Sequence, residues 1–138
     1  MNISFFLLPK AEVAYLELES TMRQTLEKME HHKYSAVPII DRHGKYIGTI
    51  TEGDLLWQIK NTHSFSLEMA EQIQLKDIKR RMKNMPVRID SKMKGLLTLA
   101  ISQNFIPVVD DHGIFIGIIR RREIIEYYAN LVDNGNAS

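Results

Sequence analysis

The chain has 138 residues, 44% of them hydrophobic, and no cysteine. That is enough apolar material for one compact domain, while the missing thiols exclude a disulfide framework, a thiolate metal site and a cysteine nucleophile, a composition compatible with the cytoplasm. Eighteen Lys and Arg against 17 Asp and Glu leave a formal net charge of +1, so no global field draws in nucleic acid or an anionic membrane.

The opening run Ile3-Ser4-Phe5-Phe6-Leu7-Leu8 stops at Pro9. It is too short to span a bilayer and lacks the basic start of a signal peptide, and no later stretch reads as a transmembrane segment. Residues 1–11 are expected to form an apolar arm packed on the body, with a partner-docking arm as the alternative. Val13–Leu16 reads as a short strand. Thr21 and Gln24 have capping-box spacing, which starts a helix there. Met22, Leu26 and Met29 follow at i, i+4 and i+7 and form a core stripe. His31-His32-Lys33 closes this helix with positive charge, where the dipole favours it. Adjacent histidines face different directions on a helix, so no metal is expected.

Ala36–Ile40 reads as a strand, Arg42-His43-Gly44-Lys45 as its turn and Tyr46–Ile50 as the return. Leu55, Leu56 and Ile59 mark a helix, with Trp57 on a neighbouring face. Within the linker, residues 61–83, Asn61–Ser64 is expected to be a loop and Leu67–Ile73 a short helix. Lys76–Lys83 carries five basic residues and one acid. It reads as a solvated helix face, with phosphate or an acidic partner as its functional alternatives. Val87-Arg88-Ile89 opens the second half. Met93, Leu96, Leu97, Ala100 and Ile101 give its first helix, and Ile124, Ile125, Tyr128 and Leu131 its last. Asp133–Ser138 is expected to fray.

The centre of each half is said twice. Pro38 and Pro107, Asp41 and Asp110, His43 and His112, Gly44 and Gly113, and Gly48 and Gly117 each stand 69 positions apart (107 − 38 = 69). A constant offset over turn and strand positions marks an internal duplication. The expected fold is mixed α/β (α+β): two tandem β-α-β-β-α repeats, residues 12–60 and 84–131, with a tail at 132–138. A repeat of about 60 residues is marginal alone, so the two are expected to pack on each other. From Met22 to Pro38 the first half spends 16 positions (38 − 22), and from Met93 to Pro107 the second spends 14 (107 − 93).

The chemistry concentrates at Thr51-Glu52-Gly53-Asp54, where a strand ends and a helix begins. Thr51 can cap the helix, whose N-terminal N–H groups and dipole suit an anion, phosphate above all. Asp54, one turn in, can accept both hydroxyls of a ribose, as an acidic residue does in dinucleotide-binding folds. Thr-x-x-Asp is equally a helix-cap arrangement.

A small residue, an apolar residue and proline, followed by Asp, Gly, a Gly-apolar-apolar end and Thr-x-x-Asp, resembles the CBS (cystathionine β-synthase) domain. Two such repeats in tandem resemble a Bateman module, here over roughly residues 12 to 130. The resemblance implies two packed repeats about a pseudo-twofold axis, with clefts that take AMP, ADP, ATP, S-adenosylmethionine or cyclic di-AMP. It also implies crossed sites, each drawing on both repeats. Site one would combine Thr51 and Asp54 with Val87, Asn104, Phe105, Ile106 and Pro107. There Phe105 either stacks on adenine or packs inside beside its proline. Site two would combine Ala14, Tyr34, Ser35, Ala36 and Pro38 with Arg120, Arg121, Arg122 and Glu123. The second motif departs from the pattern, with Arg120 in place of threonine and Glu123 in place of aspartate. Its guanidinium groups suit phosphate, a more anionic ligand such as cyclic di-AMP, or a protein partner.

The function this implies is a non-catalytic adenine-nucleotide sensor that acts in trans on an effector protein. A homodimer is expected, through the apolar helices after Thr51 and Arg120, and no cofactor is required. An enzyme is disfavoured because no Walker loop, G-x-S-x-G or H-E-x-x-H motif occurs. Nucleic-acid binding through Lys76–Lys83 and Arg120–Arg122 is disfavoured by the near-neutral charge and the lack of a groove-reading motif.

Overall fold

The computed structural model describes residues 2–135, so Asn136–Ser138 of the expected frayed tail lie outside the described residues. In chain order, a 3-10 turn at Ile3–Phe6 leads to β1 (Leu8–Pro9), a second turn at Lys10–Glu12 and β2 (Leu16–Glu17). Helix α1 (Met22–His32), β3 (Ala36–Ile40), β4 (Tyr46–Thr51) and α2 (Glu52–Lys60) complete the first repeat. After α3 (Leu67–Ala70) and a 3-10 turn at Leu75–Asp77, the second repeat follows as β5 (Val87–Arg88), α4 (Leu96–Ser102), β6 (Phe105–Val109), β7 (Phe115–Arg120) and α5 (Arg121–Asp133). The β-α-β-β-α order therefore occurs twice, as the sequence pattern requires.

The chain forms two compact units, Ala14–Lys83 and Met1–Val13 with Asn84–Ser138. In the first, a three-stranded sheet runs β2-β3-β4, with β2 parallel and β4 antiparallel to β3. Its core gathers Leu16, Met22, Met29, Val37, Ile39, Ile50 and Leu55, and Leu75 and Ile78 of the linker join it. In the second, the sheet runs β1-β7-β6-β5, so the N-terminal arm supplies an edge strand. Ile3 of the arm is fully buried with Met93, Leu96, Ile106, Ile119 and Ile124. Burial of that side chain is worth about 1.5–3 kcal/mol, enough to hold the arm down. Phe6 adds an edge-on contact to Tyr127, ring centroids 5.6 Å apart.

The methionine stripe of α1 is core: Met22 and Met29 are buried, and the Thr21–Gln24 capping box forms in both directions. Four expectations need correction. The first strand is Leu16–Glu17, so Val13 and Ala14 precede it. The linker helix stops at Ala70 instead of Ile73. The basic run is no helix face: beyond Asp77 the chain is non-helical, because Ile78 is drawn into the core and the Arg81 N–H bonds to Asp54. The first helix of the second repeat opens as a 3-10 turn at Met93–Gly95, and only Leu96–Ser102 is α-helical. Met93, Leu96 and Ala100 are buried, but Leu97 and Ile101 point to solvent. In α5, likewise, Ile124 is buried and its neighbour Ile125 exposed, since adjacent helical residues cannot share a face.

The two hairpins are built alike. Asp41 Oδ1 accepts the N–H groups of His43 and Lys45 at 2.8 and 3.0 Å, and Asp110 Oδ1 those of His112 and Ile114 at 2.8 and 2.9 Å. Gly44 and Gly113 follow with φ of 83° and 82°, a conformation glycine adopts without strain. A bulge then interrupts each ladder at the same place, between Ile39 and Ile40 and between Val108 and Val109. The sheets differ at their equivalent glycines. Gly117 faces the arm, and a Cβ there would stand 2.2 Å from the Leu8 carbonyl oxygen. At Gly48 a Cβ would meet only the Arg80 side chain.

Gly117→Ala should therefore lift β1 from β7 and cost about 1–3 kcal/mol in urea denaturation, whereas Gly48→Ala should cost less. The hairpin aspartates set an acid limb. The Lys45 N–H at Asp41, and the Ile114 N–H at Asp110, hold each carboxyl below its ordinary value of 3.8. A carboxyl depressed on folding stabilises the fold above its unfolded value, and that stability is lost as pH falls through the folded value. Replacing both (Asp41→Asn with Asp110→Asn) should flatten the loss of stability below about pH 4, measured as Tm against pH.

Candidate functional site

Thr51 ends β4 and caps α2. Its hydroxyl accepts the Asp54 N–H at 3.2 Å, and Asp54 Oδ2 accepts the Thr51 N–H at 2.9 Å. The other carboxylate oxygen, Oδ1, accepts the Arg81 N–H at 3.0 Å from 27 residues downstream. Asp54 is only 2% exposed, so both oxygens are engaged inside the protein. The Thr-x-x-Asp spacing thus makes a cap, and it also holds a buried carboxylate at the mouth of a helix dipole.

The neighbouring strand begins at the same point. Ala36 pairs with Thr51 across the ladder, and the Glu52 N–H donates to the Ser35 carbonyl at 3.0 Å. Tyr34 and Ser35 are exposed, and the Tyr34 ring stacks on His32, centroids 5.2 Å apart. Pro38 is buried inside β3, while Ala14 is half-buried ahead of β2. Thr51 and Asp54 thus adjoin Tyr34, Ser35 and Ala36 within one repeat, although sequence reasoning assigned the two groups to different sites. Between α1 and α2 a groove of about 790 Å³ is lined by Leu26, Met29, Tyr34, Gly53, Leu56 and Ile59.

The second repeat reproduces the junction and changes its chemistry. The Arg121 N–H donates to the Asn104 carbonyl at 3.0 Å, the counterpart of the Glu52–Ser35 bond 69 positions earlier. Arg120 occupies the cap position of α5 without a side-chain cap bond, and its guanidinium pairs with Glu123. Arg122 pairs with Glu126 at 3.3 Å, one turn on. Arg121 turns back, its Nε donating to the Gln103 carbonyl at 3.0 Å. The three arginines therefore have three different environments. Asn104 is exposed and Val87 half-buried, whereas Phe105, Ile106 and Pro107 are buried in β6. Phe105 is 8% exposed.

Two features escaped the sequence pattern. Gln103, 2% exposed, clamps Met85 by accepting its N–H at 2.9 Å and donating to its carbonyl at 3.1 Å. Arg80 and Arg81 bring the linker against β4 and α2. The Arg80 side chain lies over Gly48, and the Arg81 guanidinium stands 5.6 Å from the centroid of the Trp57 ring. Beside Arg80, burial pushes the Tyr46 phenol up to about 12 against the opposing pull of the Thr49 hydroxyl, so Tyr46 stays neutral at ordinary pH. Among the described residues, Asp110, Asp111 and His112 bring three metal-ligand atoms within 4.8 Å on a hairpin turn, but Asp110 Oδ1 already accepts two backbone N–H groups there. No helix among the described residues is long and apolar enough to cross a membrane.

The CBS domain model matches the chain twice, at residues 7–61 and 65–130. No curated protein sequence matches it. Solved structures do. A hypothetical conserved protein from Geobacillus kaustophilus is 25% identical, with a TM-score of 0.82 over 94% of this chain and 97% of that one. CbpB in complex with c-di-AMP is 20% identical, with a TM-score of 0.82 over 97% and 88%. CBSX2 in complex with AMP is 20% identical, with a TM-score of 0.74 over 94% and 97%.

The two helix caps give opposite predictions. Thr51→Ala should cost about 1 kcal/mol by losing the capping box. Arg120→Thr, which places a threonine three residues before Glu123, should restore a capping box and stabilise by up to about 1 kcal/mol. Urea denaturation of both variants checks the pair.

Proposed function

The chain belongs to the CBS domain family, carrying two copies in tandem, and we propose that it is a non-catalytic regulatory module that binds an adenine nucleotide. The observation that carries this reading is the repeated junction, where a helix N-terminus opens beside the exposed start of a neighbouring strand. Thr51–Glu52 meets Ser35 at one junction and Arg121 meets Asn104 at the other. Backbone N–H groups and the positive end of a helix dipole suit phosphate, and the Asp54 carboxylate suits ribose hydroxyls. Proteins of the same fold hold AMP and c-di-AMP. The output is regulation of a partner protein in the cytoplasm.

A homodimer belongs to the same reading. Leu56 and Trp57 on α2 are 59% and 41% exposed, and Ile125 and Val132 on α5 are 52% and 64% exposed. Exposed apolar side chains on both helices suit a second copy of the chain. A second ligand reading, cyclic di-AMP, draws on Arg121, whose guanidinium is held by the Gln103 carbonyl at the end of α4, beside the exposed Asn104. A doubly phosphorylated ligand matches a forked, always-charged side chain better than a carboxylate does.

Calorimetry with AMP, ADP, ATP, S-adenosylmethionine and cyclic di-AMP tests the proposal. Asp54→Ala should weaken a mononucleotide roughly ten- to a hundredfold, the worth of hydrogen bonds to a charged group. Unchanged affinity in a variant folded by circular dichroism removes the ribose role. Cyclic di-AMP binding lost only in Arg121→Ala moves the function to the second repeat. Sedimentation that finds only monomer at high concentration removes the dimer.

A further inference from the structure

The basic run Lys76–Lys83 is the one motif that the nucleotide reading leaves unused. Beyond the 3-10 turn at Leu75–Asp77 it crosses the first repeat as a non-helical strap, and the whole stretch has three attachments. Leu75 and Ile78 are buried in the core. The Arg80 side chain lies over Gly48, its Nε 2.7 Å from where a Cβ would stand. The Arg81 N–H donates to Asp54 Oδ1, and its guanidinium sits over Trp57. Between attachments, Lys76, Lys79, Met82 and Lys83 are exposed.

The partners of Asp54 are unequal. The bond from Thr51 is local to the helix cap, three residues away, and it survives as long as α2 does. The bond from Arg81 joins two distant segments and is the only long-range hydrogen bond to Asp54 among the described residues. A ribose diol has to reach an oxygen of a carboxylate that is 2% exposed. Hydroxyl donors can replace the Arg81 N–H on Oδ1, whereas displacement of the Thr51 N–H from Oδ2 would break half of the capping box on the helix that receives the phosphate.

We propose that residues 78–83 form a strap closed over Asp54, which a nucleotide's ribose displaces, so that ligand binding releases Arg80 and Arg81 from their places over Gly48 and Trp57. This rests on the ribose role of Asp54. Binding and strap release are then one event, and each opposes the other through a shared oxygen: a fastened strap weakens the nucleotide, and a bound nucleotide loosens the strap.

Trp57 is the chain's single tryptophan, so its emission reports the position of Arg81. The experiment uses the full chain with AMP and, separately, cyclic di-AMP, following affinity by calorimetry, amide hydrogen exchange across residues 79–83 by mass spectrometry, and Trp57 emission. A ligand whose binding depends on Asp54 should speed exchange at 79–83 by at least tenfold and change the emission. Arg81→Ala keeps the N–H, so it should abolish the emission change and leave the exchange response. Arg81→Pro removes the N–H and should tighten binding about tenfold. Asp54→Ala should give fast exchange at 79–83 with no ligand present. Asp54-dependent binding with unchanged or slower exchange at 79–83 overturns the strap and leaves the nucleotide reading standing. Binding indifferent to Asp54 overturns the strap together with the ribose role it rests on, and absence of binding by both probes and by ADP, ATP and S-adenosylmethionine overturns the nucleotide reading as well.

Discussion

A buried carboxylate has to be satisfied by donors, and in the first repeat everything near the helix mouth follows from that requirement. Asp54 holds the end of β4 through the Thr51 N–H and the linker through the Arg81 N–H. One side chain therefore closes a helix cap, fixes a strand end and fastens a segment 27 residues away. The second repeat keeps the backbone junction, Arg121 to Asn104, but has no buried acid there. Glu123 pairs instead with Arg120 in a partly solvated ion pair, where such pairs contribute little. The two junctions share a backbone geometry and differ in what would be lost if a ligand drew on them.

The duplication also shows which parts of a repeat tolerate change. The hairpins match to the residue, down to the aspartate that accepts two N–H groups and the bulge that follows. The helices before them do not. Leu16 pairs with Ile39, 23 positions on (39 − 16), whereas Val87 pairs with Val108, 21 on (108 − 87). One of the two missing residues comes out of the first helical segment, Met22–His32 against residues 93–102, and the other out of the connection to the next strand, residues 33–35 against 103–104. A turn fixed by a carboxylate and a glycine has few alternatives, but a helix can lose a residue and still present a core face.

Legibility in the sequence followed the same division. Hairpins, repeat order and the caps at Thr21 and Thr51 were readable because each is written in local residue chemistry. The extents of the short helices were not. Leu97 and Ile101 look as apolar as Leu96 and Ala100, and only the packing partner decides which pair is buried. The basic run read as a helix face because spacing alone cannot show that Ile78 is drawn into a core and Arg81 held by a distant acid. For the candidate site, Thr51 and Asp54 were visible as a motif. The Arg81 bond was not, because a backbone N–H carries no residue signature.

The arm's place in the sheet has a consequence for how the chain is made. The unit Ala14–Lys83 is continuous, but its companion joins Met1–Val13 to a segment that begins at Asn84. During synthesis the first unit is complete before most of the second has been translated. Ile3, Phe6 and Leu8 leave the ribosome well before their partner strand, since β7 is synthesised roughly 5 to 20 s later at ordinary elongation rates. For that interval an apolar segment with an unpaired edge is exposed on a nascent chain, the condition that recruits chaperones or seeds association between neighbouring chains. The residue closing that wait is Gly117, where the Leu8 backbone can approach only because no side chain stands in its way.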